Sequence, residues 1–402
     1  MKIKHSIVLV VALSLIYVSA PNAAQTDEPP ADIADITSKS FIFVFSADTP
    51  SSEVPGLAQQ LAEDYGAKLR HIYTHALKGF SARISAESAS ALVSQNPEVV
   101  RYRRNGAVRA YSDQMEAGAN ASGKVPKPTA PDPQWGIYRV GGSFDGRGKH
   151  AWIFDTGIDL YNPDLNVSMD SGINCVVGSK DTVDDVAGHG TSIAGIIAGL
   201  GNVENVFGVA SGATVHPVRV LHNNLWGSID NFLCGIDHVM NTFRSVDRHP
   251  VNHVINFSIY ARVEGQEDTV EEMETVIRAA VDEGLRFAVC AGNEEEDASL
   301  YSPARMGPES TDIHTVTYMD HNDILSWKGN YGSDVDWAAP GVNITSLKTG
   351  GGVATWSGCS YATPHVAGIL LLGNDPVEDG YVVGPDGIAI DIATINGQSA
   401  NP

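Results

Sequence analysis

The rhythm of hydrophobic positions changes several times along the chain. An apolar run over residues 7–18 follows Lys2 and Lys4, with small residues at Ala20, Ala23 and Ala24. A basic start, an apolar middle and a small-residue exit are the order of a secretory signal. The run is short of the roughly 20 apolar residues that span a bilayer. Residues 1–24 are therefore expected to direct export and to be removed. The mature protein is then free of the membrane, extracellular or, in a Gram-negative cell, periplasmic. Residues 25–39 are polar and contain proline, and read as a spacer.

Residues 41–45, FIFVF, are β-rich, and residues 53–65 carry Leu57 and Leu61 at helical spacing. Residues 71–75 and 79–84 read as strands, 86–95 as a helix and 99–103 as a last strand. The order βαββαβ over 40–111 predicts a small α+β ferredoxin-like domain. Residues 112–133, rich in Ala, Gly, Pro and Lys, read as an accessible linker. From 134 to 372 apolar strands (151–154, 215–221, 254–257, 287–290) alternate with helical stretches (191–200, 228–243, 269–283). This predicts an α/β fold, a doubly wound, mostly parallel sheet flanked by helices, with its site at the carboxyl ends of the strands. Residues 373–402 form a Gly-, Asp- and Pro-rich tail with no long helical pattern.

Composition sharpens this only in places. With 43% hydrophobic and 18% charged residues the chain can bury a sizeable core. A net charge of -22 argues against nucleic acid as a partner, since phosphates would be repelled. Cys175, Cys234, Cys290 and Cys359 are compatible with one or two disulfides after export, fit no zinc spacing, and do not declare their pairing.

Three segments carry reactive side chains at element ends. WIFDTG at 152–157 ends a buried strand in Asp155; alone, this fits an aspartic-peptidase motif or a metal ligand equally well. GHGTS at 188–192 places His189 at a helix start, where a structural role is as common as a chemical one. GCSYATPHVAG at 358–368 puts Ser360 at the N-terminus of a small-residue helix, whose free amides favour developing negative oxygen. A serine hydroxyl needs an adjacent base, and that base an orienting acid.

Together, in the order Asp, His, Ser, these segments resemble the subtilisin-like (subtilase, proteinase K-like) serine peptidases. Further likeness lies in GVA at 208–210, VRVL at 218–221, VINFS at 254–258, AGN at 291–293, SPA at 302–304 and APG at 339–341. The resemblance implies a secreted serine endopeptidase acting on protein and peptide substrates through an acyl-enzyme on Ser360, with no catalytic cofactor. His189 would be the base, Asp155 its orienting acid and Asn293 an oxyanion donor. Leu225, Trp226 and Gly227 would face Ser258, Ile259 and Tyr260 across an extended substrate, with Ala291 and Gly292 beside them. The 40–111 domain resembles the family's inhibitory propeptide, which would lay its end in the cleft and be removed by self-cleavage near residues 110–113. A structural Ca2+ at Pro303 and Asp336 is also implied. The alternative is a weak or non-catalytic binding protein on the same scaffold.

The chain departs from the family pattern at Ser192, where a second histidine is usual, and at Cys359, where threonine is usual and a bond to Cys290 is conceivable on the family fold. Tyr260 and Ala261 replace glycines and are expected to narrow the primary pocket toward small residues. The tail lacks the usual closing helices, so stability would lean on ions or a partner. The acidic run 294–297 reads as solvated surface more readily than as a site for cationic substrates.

Overall fold

The computed structural model describes residues 28–111, 113–114, 132, 134–180 and 182–395. The export segment 1–24 and most of the linker 112–133 lie outside them.

In the N-terminal domain, strand Ser40–Phe45 lies between Gly79–Arg83 and Val99–Arg104, and Lys68–Tyr73 completes an antiparallel four-stranded sheet. Ser40–Phe45 is buried throughout because both its faces are covered. Phe41, Phe43 and Phe45 pack under helices Val54–Asp64 and Ala86–Gln95, with Leu61, Phe80 and Leu92. Ile42 and Val44 point the other way and share a core with Phe232 and Leu233 of helix Ile229–Val246. A two-sided strand reads as a continuous apolar run rather than an alternation.

The spacer expected over 25–39 is in part structured: Ala31–Lys39 is a helix with Ile33 buried. Asp32 in its first turn and Lys39 in its last complement the helix dipole, and Asp35 pairs with Lys39 one turn on.

Polar anchors fix the domain on its neighbour. Asp237 accepts the successive amides of Thr74, His75 and Ala76 at 2.9, 2.6 and 2.9 Å, a concave cradle of N–H groups closed on one carboxylate. Buried Asp230 receives Arg70 Nε at 2.5 Å and Ser81 Oγ at 3.1 Å, and Arg101 grips Glu272 with two bonds of 2.6 and 2.8 Å.

The larger domain is built on one sheet. Across it run Ile173–Asn174, Thr214–Arg219, His150–Asp155, His253–Phe257, Arg286–Cys290, Ile313–Met319 and Trp337–Pro340, all parallel. Ala151 and Ile153 face one core cluster while Trp152 and Phe154 face another, so His150–Asp155 is buried on both sides. The tail also departs from expectation. Val377–Val383 and Ala389–Thr394 form a hairpin that extends the sheet beyond Trp337–Pro340, with Val382, Ile390 and Ile392 buried. The alternation AIDIAT is a strand pattern, and the hairpin covers the edge left by Trp337–Pro340.

Helices His189–Ala198 and Cys359–Leu371 pack against each other, and Cys359–Leu371 is buried along its whole length. Pro364 lies inside the second helix and has no amide to give, which leaves the Ser360 carbonyl free of the helical ladder. That carbonyl accepts the Ser258 hydroxyl at 2.9 Å instead, tying the helix start to the sheet. Two disulfides form, Cys175–Cys234 and Cys290–Cys359, the second joining a strand end to the residue before Ser360. Among the described residues no helix is long and apolar enough to cross a membrane.

Candidate active site

Asp155 closes strand His150–Asp155 at the carboxyl edge of the sheet, completely buried. His189 opens the helix beside it. That approach requires Gly190, where any Cβ would stand 2.1 Å from the Gly157 carbonyl. His189 Nδ1 lies 2.9 and 2.8 Å from the two Asp155 oxygens, and Tyr361 packs edge-on against the imidazole at 5.6 Å. Burial alone pushes the ring's pKa down. The charge and hydrogen bond of Asp155, with Asp185 and the Tyr111 backbone behind it, outweigh burial and hold it above the ordinary histidine value. Nε2 carries no hydrogen bond among the described residues.

Ser360 lies two residues after Gly358, whose φ of +143° suits glycine. Its Oγ lies 3.1 Å from the Tyr111 carbonyl oxygen and 3.2 Å from that of Ser258. The described hydrogen bonds of the hydroxyl therefore run to the chain's own backbone rather than to His189. The reason is the N-terminal domain's last segment, which fills the cleft. Strand Ala107–Arg109 runs antiparallel to Trp226–Ser228 on one side. On the other, Arg109 and Tyr260 exchange both backbone bonds at 2.9 Å, and the Ala110 amide donates to the Leu225 carbonyl at 2.9 Å. Beyond Tyr111 the backbone of 113–114 pairs with strand Val353–Ser357. An extended segment thus lies across the cleft with the Tyr111 carbonyl at the hydroxyl.

The other residues singled out from sequence fall as follows. Leu225, in a left-handed conformation (φ 67°), Trp226, Gly227 and Tyr260 line this segment. Ser258 touches Ser360, and Ile259 shares a core with Val108 and Ala110. Ala291 and Gly292 pack against Asn330. The Ala291 carbonyl accepts Asn330 Nδ2 at 3.0 Å, and a Cβ on Gly292 would meet that nitrogen at 2.0 Å. Asn293 reaches the site, but its Oδ1 accepts the Cys359 amide at 2.9 Å and its Nδ2 faces Cys359 Sγ at 3.2 Å. Ser192 turns back to the His189 carbonyl at 2.7 Å. Asp336 accepts the Thr315 amide at 2.7 Å, away from the cleft, and the Pro303 carbonyl accepts the Met306 amide.

The family scan agrees with this geometry. Residues 151–375 match the subtilase family model, and residues 31–111 match the peptidase inhibitor I9 model. The chain belongs to the subtilase family. It is 33% identical to an extracellular serine proteinase of Thermus sp. (strain Rt41A) over 76% of this chain and 68% of that one. It is 31% identical to subtilisin-like protease 1 of Pseudogymnoascus destructans over 98% and 94%. A solved cold-adapted subtilisin-like serine proteinase aligns at a TM-score of 0.50 and 30% identity, over 60% of this chain and 84% of that one. This subtilase is a serine-type endopeptidase made as a zymogen, with an I9-type inhibitory domain ahead of its catalytic domain.

Several residues of the subtilase site were not singled out from sequence. Asp185 is buried and accepts the amides of Ala187, Gly188 and Thr191 and the hydroxyls of Thr156 and Thr191, all within 3.0 Å. It thereby caps the helix that carries His189. An aspartate four residues before a helix-opening histidine is a cap signal, and it was open to reading. Thr156 donates its amide to Asp155 at 2.7 Å and so fixes the carboxylate. The acidic run is not uniformly solvated surface: Glu294 is nearly buried, Glu296 pairs with Arg262, and Asp297 caps a short helical turn. Tyr260 is itself buried, and the Tyr111 side chain runs to Lys328, its hydroxyl 2.7 Å from Nζ.

Proposed function

We propose that the chain is exported, and that Asp155, His189 and Ser360 cut the Tyr111–Ser112 bond of their own precursor and then peptide bonds of other proteins. The observation that supports this most is the Tyr111 carbonyl oxygen 3.1 Å from Ser360 Oγ, with backbone pairing on both sides of it. Ser360 Oγ attacks the Tyr111 carbonyl carbon while His189 Nε2 takes its proton. Asp155 holds the imidazole by Nδ1 and steadies the imidazolium. The Asn293 amide, turned from Cys359, and the Ser360 backbone amide receive the oxyanion. His189 then protonates the departing Ser112 amine, and water hydrolyses the acyl-enzyme. Backbone pairing with Tyr260, Leu225 and Trp226–Ser228 supplies affinity common to any extended peptide. When the wild-type protein matures, the released domain is expected to end at Tyr111, as read by C-terminal peptide mass spectrometry. An end at any other residue would remove the assignment.

Calcium at Asp336 is part of the same proposal. Asp336 is mostly buried, pairs with no cation among the described residues, and has a pKa pushed up to about 6 by burial and by Asp334. A buried carboxylate in this state suits a hard cation with oxygen ligands, to which the Pro303 carbonyl would add. The ion would supply only charge compensation and stability. Millimolar Ca2+ is expected to raise Tm by several degrees, and Asp336→Asn to abolish that rise. An equal rise in the variant would place the ion elsewhere.

A further inference from the structure

We infer that Glu294, with Tyr260 and Trp226, makes a subsite that selects an arginine or lysine as the third residue before the cleaved bond. The inference rests on the proposed cut after Tyr111, which puts Arg109 in that place. Arg109 Nη2 lies 2.7 Å from Glu294 Oε1, and each side chain is only 10% exposed. Its guanidinium also stands 5.6 Å from the ring centres of both Trp226 and Tyr260. A planar, weakly hydrated cation between two aromatic faces and one carboxylate is a setting that fits arginine better than lysine.

This is a subsite, and more than a docking contact, because Arg109 is held by its backbone as any substrate residue would be. It exchanges both main-chain bonds with Tyr260, so its side chain is delivered where the side chain of each incoming peptide at that position must go. The carboxylate is also built in advance. The Tyr260 hydroxyl donates to Oε1 at 2.5 Å, and the Asn293 backbone N–H and Asn330 Nδ2 donate to Oε2 at 2.7 and 3.2 Å. Burial and the Glu294 charge hold Tyr260 far above the usual tyrosine range, so it stays a neutral donor. All three donors are neutral and remain after the propeptide leaves. The negative charge they orient then loses its Arg109 partner, a place the substrate can fill. A glutamate in the same place meets like charge in a desolvated pocket, which costs far more than losing a partner on an open surface.

The test compares peptides that differ only at the third residue before the cleaved bond, Arg, Lys, Ala or Glu, on matured wild-type enzyme counted by fluorophosphonate titration. The expected order in kcat/KM is Arg, Lys, Ala, Glu, with Arg at least about 10-fold over Ala. Glu294→Gln should bring the Arg-to-Ala ratio to within about threefold, chiefly through the Arg peptide. In the full chain, Arg109→Ala should slow self-processing by a similar factor, a readout that does not depend on how well a Glu294 variant folds. Equal turnover of the Arg and Ala peptides by titrated wild-type enzyme overturns the inference while leaving the peptidase reading intact. Absence of both titration and cleavage overturns the peptidase reading, and this inference with it.

Discussion

With Ser360→Ala, the full-length chain is expected to accumulate uncut, and residual turnover by any mature fraction should fall by roughly 10^6 in kcat, the size established for the corresponding group in subtilisin, a member of this family. The structure gives the reason. The oxygen to be deleted is the atom 3.1 Å from the Tyr111 carbonyl, on the first turn of a helix whose thirteen residues are all buried. Alanine removes that atom without creating a cavity of consequence, so the fold and the propeptide contacts should persist. Asp237, Asp230 and Glu272 would still hold the N-terminal domain in place. Electrophoresis of secreted protein should therefore show one species of precursor size. Normal maturation of the alanine chain would assign processing to another peptidase.

Asp155→Asn is expected to cost about 10^4 in kcat with little change in KM. Asn can offer the imidazole Nδ1 a donor where an acceptor is required, which favours the tautomer with its proton on Nε2, the atom that must receive the serine proton. A second readout separates this from simple damage. In the proposed mechanism His189 is a base only when neutral, so activity is expected above its pKa and is lost as pH falls through it. Burial lowers that pKa, and the Asp155 charge and hydrogen bond overcome the lowering. Without the charge, burial carries more weight, and the acid limb of the residual kcat/KM profile should move to lower pH. A limb that stays in place would mean that Asp155 does not set the basicity of His189.

The parts of this molecule legible in its sequence are those whose signals are local. Asp155 ends an apolar strand, His189 and Ser360 open helices after glycines, and each can be seen within ten residues. The six elements of the N-terminal domain follow from periodicity in the same way. What escaped was held by distant partners. Arg109 and Glu294 are 185 residues apart, so an acidic run could pass for surface until the fold set a guanidinium on it. The Asn293 amide is turned by Cys359, 66 residues on, an orientation no spacing encodes. The hairpin at 377–394 was masked by its Gly- and Asp-rich turn, although Ile390 and Ile392 alternate as strand residues should. Helix Ala31–Lys39 was obscured by polar composition, with a single buried residue, Ile33, and an ion pair from Asp35 to Arg83 of the sheet.

The most direct measurement is to react matured wild-type protein with a fluorophosphonate, digest it and locate the adduct by mass spectrometry. A single adduct on Ser360, formed in step with loss of peptide hydrolysis, is the predicted result. Hydrolysis that continues undiminished with Ser360 fully modified, or an inactivating adduct on a different residue, would contradict the account.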